Sequence, residues 1–284
     1  MRFLDNVLTD FIEKAPDSFN DATYAALRER SVGLGVMGLH SYFQQKMIPF
    51  ESVMSKVWNK KIFSNIQKQV DKASKDLAEE RGACPDAAEY GINERFSNKT
   101  AIAPTASISI ICGGTSPGIE PIAANSYTHK TLSGSFNVRN KYLEKILEKY
   151  GKNDEQTWSS ITTNQGSISH LGFLTQQEKD VFKTAFELDQ KWIVELSADR
   201  TPHISQAQSV NIFIPADIHK RDLHQIHFQA WKKGLKSLYY CRSKSIQRAE
   251  NINDSSSTDV RLNVYKSDQS QSENLEYEEC LSCQ

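Results

Sequence analysis

Apolar positions recur at three- and four-residue spacing through "NVLTDFIEKA", "AALRERSVGLGVMGLHSYF" and "VWNKKIFSNIQKQVDKASKDLAEE". That spacing gathers them on one face of a helix, so residues 6–48 and 52–81 are predicted helical, with Asn20 or Asp21 capping the second helix and Pro49 ending it. The texture then changes. "TAIAPTASISIICGGTSPGIEP", residues 100–121, is small, β-branched and rich in Gly and Pro, which predicts a buried strand, a turn and a loop of the kind that carries function. Further on, "KYLEKILEKY", "TQQEKDVFKTAFELDQKWIVELSA" and "IHKRDLHQIHFQAWKKGL" read as amphipathic helices, separated by short β-like runs such as "SVNIFI" and "SLYY". Helices alternating with short strands predict an α/β arrangement. From Asn251 the chain turns to Asn, Asp, Ser, Gln and Glu with few large apolar residues, so residues 1–250 are expected to fold and 251–284 to form a mobile tail.

Charge removes some functional classes. With 34 basic against 35 acidic residues the formal net charge is -1, which gives no global electrostatic reason to expect nucleic acid or membrane binding. The apolar runs fall short of a spanning helix, and "MRFLDNVLTDF" lacks the apolar core of a secretory signal, so the expectation is a soluble, cytoplasmic protein. The five cysteines, Cys84, Cys112, Cys241, Cys280 and Cys283, are odd in number, and only the last two lie close together. That is not a disulfide scaffold.

Four stretches are candidates for chemistry. "GLGVMG", Gly33 to Gly38, fits a dinucleotide fingerprint, but "AALRERS" before it is helix-favouring where a buried strand is required; glycines that permit close backbone packing are the better reading. "PTASIS", comprising Pro104, Thr105, Ala106, Ser107, Ile108 and Ser109, offers hydroxyls and backbone N–H groups between small residues. Such a set binds phosphate, and it equally makes an ordinary strand end or helix cap. Tyr239 and Tyr240 are adjacent phenols, neutral at physiological pH. In contact they can pass an electron and a proton together, whereas on a regular strand they point to opposite faces. Cys280-Leu-Ser-Cys283 permits a disulfide, with "EYEE" before it raising the thiol pKa; the competing reading is half a zinc site, with no His or second CxxC nearby. His224 and His227 share a helix without an evident third ligand, so no metal is expected.

In order along the chain, "IAPTASISIICGGTSPGIEPIAANSYTHKTLSGSFNVRNKYL", "DRTPHISQAQSVNIFI" and "LHQIHFQAWKKGLKSLYYCRSKSIQRAE" resemble the large, catalytic subunit of a class I ribonucleotide reductase. "ERSVGLGVMGLHSYF" and "KASKDLAEERGACP" resemble segments upstream of these in the same family. The resemblance covers about residues 1–250 and the terminal CxxC. It implies a ten-stranded α/β barrel, of which this chain is the C-terminal half with helical segments and a flexible tail, reducing ribonucleoside diphosphates to their 2′-deoxy forms by thiyl-radical chemistry. The family's Asn-x-Cys-x-Glu finger loop does not occur in this sequence, so the expectation is a split enzyme whose separate N-terminal half is a second polypeptide, and which is inactive alone.

The same resemblance implies roles for residues. Pro104 to Ser109 would hold the substrate diphosphate, Ile108 contributing only a backbone N–H. Tyr239 and Tyr240 would relay oxidising equivalents from a radical-bearing small subunit. Cys280 and Cys283 would carry electrons inward from a thioredoxin- or glutaredoxin-like reductant, on a tail with a reach of roughly 30 Å. No cofactor would bind directly; the radical and metal cofactor would belong to the small subunit. Glu120 and Pro121 would shape the site wall, and Cys241 is expected to be a small core residue. The alternative is a non-catalytic remnant that binds partners, and a thiol-disulfide carrier explains only the last four residues. A coenzyme B12-dependent relative needs no tyrosine relay to a second subunit, so "LYY" favours class I.

Overall fold

The computed structural model describes residues 1–131 and 134–243. Helices α1 (Arg2–Lys14) and α2 (Asn20–Glu29) lead into an extended segment at 32–35. Helices α3 (Leu39–Gln45), α4 (Val53–Arg81) and α5 (Pro85–Glu89) then bring the chain back to a second extended segment at 98–102. A longer excursion follows: α6 (Ala106–Ile111), an antiparallel hairpin of β1 (Ser126–Thr131) and β2 (Gly134–Arg139), then α7 (Lys141–Lys149), α8 (Glu155–Thr163), α9 (Gln176–Val181) and α10 (Gln190–Arg200). The third extended segment, 206–214, contains β3 (Ile212–Ile214), and α11 (Lys220–Lys232) carries the chain to β4 (Cys241–Ser243).

The four extended segments lie side by side and parallel. Leu34 pairs with Thr100, Ile102 with Gln208, and β3 with β4. Parallel neighbours need long crossovers, usually helical, and each connection here contains at least one helix. Among the described residues neither 32–35 nor β4 has a strand on its outer side.

β3 is covered on both faces, as a buried parallel strand requires. Along β3, Phe213 packs with Phe43, Phe63, Ile193 and Leu196 from α3, α4 and α10, while Ile212 and Ile214 pack with Val194, Ile226 and Ala230 from α10 and α11. Fully burying each such side chain contributes about 1.5–3 kcal/mol. A satellite core of Leu143, Leu147, Trp158, Ile161 and Val181 joins α7, α8 and α9. One buried cation ties the layers together. The Arg200 guanidinium donates to Asn59 Oδ1 at 2.7 Å, Gln208 Oε1 at 2.7 Å and Ser197 Oγ at 2.9 Å, and burial lowers its pKa to about 9.

The helical prediction holds for 52–81, where the Ser52 hydroxyl accepts from the Ser55 N–H and Gly82 at φ 85° ends α4. It fails for the second helix. α2 stops at Glu29, Arg30 takes the left-handed conformation at φ 44°, and the chain is extended before α3 begins. Neither Asn20 nor Asp21 caps α2, whose N-cap is Phe19 without a side-chain bond. The glycines explain the break. A Cβ on Gly33 would lie 3.0 Å from Ala101 Cβ, and one on Gly35 2.6 Å from the Ala101 carbonyl oxygen, so this stretch packs its backbone against the second strand. The expected strand and loop at 100–121 begin correctly, but "ASISII" is helical, with Ile108 54% and Ile111 82% exposed. The helix predicted across 175–198 is two helices, broken at 182–189.

Candidate active site

At the C-terminal strand two residues occupy the place of one. In a regular parallel ladder a single residue opposite Asn211 would donate its N–H to Val210 O and accept at its carbonyl from the Ile212 N–H. Instead the Tyr239 N–H donates to Val210 O at 2.9 Å, and it is the Tyr240 carbonyl that accepts from Ile212 at 3.0 Å. The extra residue makes a β-bulge, a device that re-aims side chains. Its consequence is direct: the two rings, which an ideal strand would send to opposite faces, have centroids 4.1 Å apart at an interplanar angle of 50°. The Tyr239 hydroxyl donates to the Tyr240 hydroxyl at 3.3 Å, and the residues are 44% and 42% exposed.

A bulge leaves one backbone N–H without its ladder acceptor. That group, on Tyr240, donates to Asn211 Oδ1 at 2.8 Å. Asn211 is buried, and its Nδ2 donates to Glu120 Oε1 at 2.5 Å. Burial pushes the Glu120 carboxyl up to about 7, against the opposing pull of the Arg242 charge and the Asn211 hydrogen bond.

The loop bearing Glu120 is pinned along its length. Ser41 and Ser116 exchange backbone-to-hydroxyl bonds at 3.1 and 2.8 Å, the Leu39 N–H donates to Gly118 O at 3.3 Å, and the Ile122 N–H donates to His40 Nδ1 at 3.0 Å. Burial lowers the His40 pKa to about 3, so the ring is neutral and its Nδ1 is able to accept. Gly118, at φ 45°, passes so close to the preceding segment that a Cβ would lie 2.9 Å from Ala103 O.

Gly118 also reaches the Ser/Thr loop. Its N–H donates to Thr105 Oγ1 at 2.8 Å, and Thr105, left-handed at φ 54° and ψ 31°, turns the chain into α6. The Ser109 hydroxyl is turned inward to Ala106 O at 2.9 Å. Ser107 and Ile108 face outward. The first-turn N–H groups of Ala106, Ser107 and Ile108 have no acceptor within the helix. Of the three hydroxyls, Thr105 and Ser109 thus hold scaffold bonds and Ser107 lies on the surface. The stretch between Gly118 and Glu120 links the two candidate sites, with one end on Thr105 and the other, through Asn211, on the tyrosines.

The family model described as "Ribonucleotide reductase, barrel domain" matches residues 1–94 and 85–241. This chain belongs to the ribonucleotide reductase barrel family. Among curated relatives it is 48% identical over 256 residues to the ribonucleoside-diphosphate reductase large subunit of Invertebrate iridescent virus 6, a match covering 89% of this chain and 26% of that protein. To the putative large subunit of Frog virus 3 it is 40% identical, covering 86% of this chain and 43% of the relative. The solved Actinobacillus ureae class Id ribonucleotide reductase alpha subunit matches with a TM-score of 0.79 at 40% identity, over 86% of this chain and 45% of that one. The chain therefore spans between about a quarter and under half of the length of these reductase subunits.

As a segment of a reductase barrel, the chain brings some of its predicted site residues together and leaves others apart. Tyr239 and Tyr240 meet, and Pro104 to Ser109 lie across the Gly118 loop from their brace. Cys280, Cys283 and the boundary at 250 fall outside the described residues. Cys84 is buried, while Cys112 and Cys241 are exposed free thiols, so Cys241 is not the small core residue expected; it sits on β4, which has no outer strand neighbour among the described residues. His224 stacks on Phe228, and His227 Nδ1 lies 2.9 Å from Leu223 O. Among the described residues no three His, Cys, Asp or Glu side chains gather as metal ligands, and no helix is long and apolar enough to cross a membrane. Asn211 was missed in the sequence. Its signal was a lone amide inside the apolar run "VNIFI", since a buried polar side chain in a strand needs a partner.

Proposed function

We propose that this chain supplies the C-terminal half of the catalytic barrel of a class I ribonucleoside-diphosphate reductase, converting ribonucleoside diphosphates to 2′-deoxyribonucleoside diphosphates. The observation that carries the reading is the bulged pair of phenols in hydroxyl contact at the sheet's edge strand, within a chain of this family. A phenol with a pKa of about 10 is neutral at physiological pH, so it transmits oxidation by losing a hydrogen atom. A radical-bearing small subunit takes that atom from one tyrosine, the resulting phenoxyl takes one from its neighbour, and the second phenoxyl takes one from a cysteine S–H, leaving a thiyl radical to act on the ribose.

That cysteine belongs to the complementary, N-terminal part of the barrel, which lies outside the sequence of this chain. Support for this partner is the pair of sheet edges, at 32–35 and β4, which lack outer strand neighbours among the described residues, together with the absence of Asn-x-Cys-x-Glu from the sequence. The substrate's diphosphate is assigned to Pro104–Ser109, with the Ser107 hydroxyl and the first-turn N–H groups of α6 as its donors. Cys280 and Cys283 are proposed to shuttle electrons from a thioredoxin- or glutaredoxin-like protein in the cytoplasm.

The test is reconstitution. This chain alone should form no deoxynucleotide; adding the complementary half and a radical-bearing small subunit should restore turnover. Deoxynucleotide formation by the chain alone would overturn the divided barrel, and an inert assembled complex would favour the non-catalytic remnant.

A further inference from the structure

We propose that Asn211 and Glu120 are positioning residues for the tyrosine pair: the buried carboxyl orients the Asn211 amide, and the amide holds the bulge that keeps the two phenols in contact. The inference rests on the relay reading for its functional consequence, but its structural content stands on hydrogen bonds alone.

The bulge carries a cost. An unpaired backbone N–H in a buried setting costs about 1–3 kcal/mol, so a strand opposite an apolar side chain would recover a regular ladder by dropping the extra residue from register. A regular register sends Tyr239 and Tyr240 to opposite faces. Asn211 removes that cost because its Oδ1 takes the place of the missing ladder acceptor for the Tyr240 N–H. An amide can do so only while its oxygen faces the strand, and the Nδ2 bond to Glu120 Oε1 selects that orientation.

Glu120 is in turn aimed by its surroundings. The loop is fixed on one side by Ser41 and Thr105 and on the other by His40, so the carboxyl is presented to Asn211 by bonds that do not involve the tyrosines. The charged group that acts on it is Arg242, two residues beyond Tyr240. The Asn211 bond to the pair is made to the Tyr240 backbone N–H. Both act through the backbone.

The experiment uses the full chain with ring-labelled tyrosine, comparing wild type with Asn211→Ala, Glu120→Ala and Glu120→Gln. Two quantities are read by nuclear magnetic resonance: the cross-peak between the Tyr239 and Tyr240 rings, and the hydrogen exchange of individual amides. The Tyr239 and Ile212 amides, bonded to the ladder, report the fold. In Asn211→Ala the Tyr240 amide should exchange about tenfold faster, as expected for one lost hydrogen bond, and the ring cross-peak should fade. Glu120→Ala should do the same more weakly, and Glu120→Gln, which keeps an acceptor for Nδ2, should restore the wild-type pattern. Should Asn211→Ala fail to fold, the two Glu120 variants decide. An undiminished ring cross-peak in Glu120→Ala and in any folded Asn211→Ala overturns the proposal.

In the assembled enzyme Asn211→Ala and Glu120→Ala should lower kcat with KM for the diphosphate unchanged, and Glu120→Gln should keep the wild-type kcat. A loss on the order of a hundredfold is typical of misplaced reacting groups. If wild type itself shows no turnover, the relay reading fails while the ring and amide measurements still decide the brace.

Discussion

Asp5 and Glu120 are both buried carboxyls, and the protein holds them in opposite ways. Asp5, on α1, receives Arg30 at 2.8 Å, Arg81 at 2.7 Å and Arg95 at 2.9 Å, from the end of α2, the end of α4 and the approach to the second strand. Burial alone would raise its pKa, but the hydrogen bonds from Arg95, Arg81 and Arg30 outweigh it and hold the group below the usual carboxylate range. Glu120 has one neutral amide and the charge of Arg242, and burial wins, leaving its carboxyl near 7. The first carboxylate fastens four elements. The second lies beneath the tyrosine pair at a standing cost in stability, and costly ionisable groups of that kind concentrate where a fold does chemistry.

The largest effect expected from this contrast is at Asp5. Asp5→Ala leaves three guanidiniums without their shared carboxylate and should cost about 3–5 kcal/mol, the range for breaking a buried charge pair, measured by urea unfolding. Because the folded pKa is depressed, the stabilisation is complete above the unfolded value, near 3.9, and is lost as pH falls through the folded one. A cost below about 1 kcal/mol would reduce the cluster to surface-type pairs.

Glu120 should behave with the opposite sign. Its folded pKa is raised, so its contribution is intact below the unfolded value of about 4.3 and declines as pH climbs towards 7. Glu120→Gln should remove that decline, making the variant more stable than wild type at pH 8 by on the order of 2 kcal/mol, with the two converging at pH 4. Parallel pH profiles for both proteins would dissolve the comparison. The smallest effect belongs to Arg242, whose charge pulls the Glu120 pKa down. Arg242→Gln should move the midpoint of that decline slightly upward, and added salt should mimic the change.

The parts of the fold legible in the sequence were those set by local rules. Ser52 before an apolar period and Gly82 after it mark α4, and "KYLEKILEKY" and "IHKRDLHQIHFQAWKKGL" became α7 and α11 with small changes at their ends. What was illegible depended on distant partners. The end of α2 is a left-handed Arg30 whose guanidinium is held by Asp5, and local propensity gives no sign of it. The isoleucines of α6 read as a buried strand because apolar residues are assumed to be inside, yet three of them face outward. Period-2 reasoning separates Tyr239 from Tyr240. Only an amide 29 residues earlier in the chain, satisfied by a glutamate 91 residues earlier still, brings the rings together. The resemblance to reductases carried the functional expectation for the pair; the bulge supplies a physical means of meeting it.

That expectation is tested most directly by replacing each phenol in the assembled complex of this chain, the complementary half and the radical-bearing small subunit. Tyr239→Phe and Tyr240→Phe keep the ring packing and remove only the hydrogen atom that the relay must pass. Deoxynucleotide formation should fall below detection in both, with assembly and diphosphate binding unchanged. Turnover within about tenfold of wild type in either variant, a deficit of only about 1.4 kcal/mol in the barrier, would contradict the account and return the pair to ordinary side chains at a strand edge.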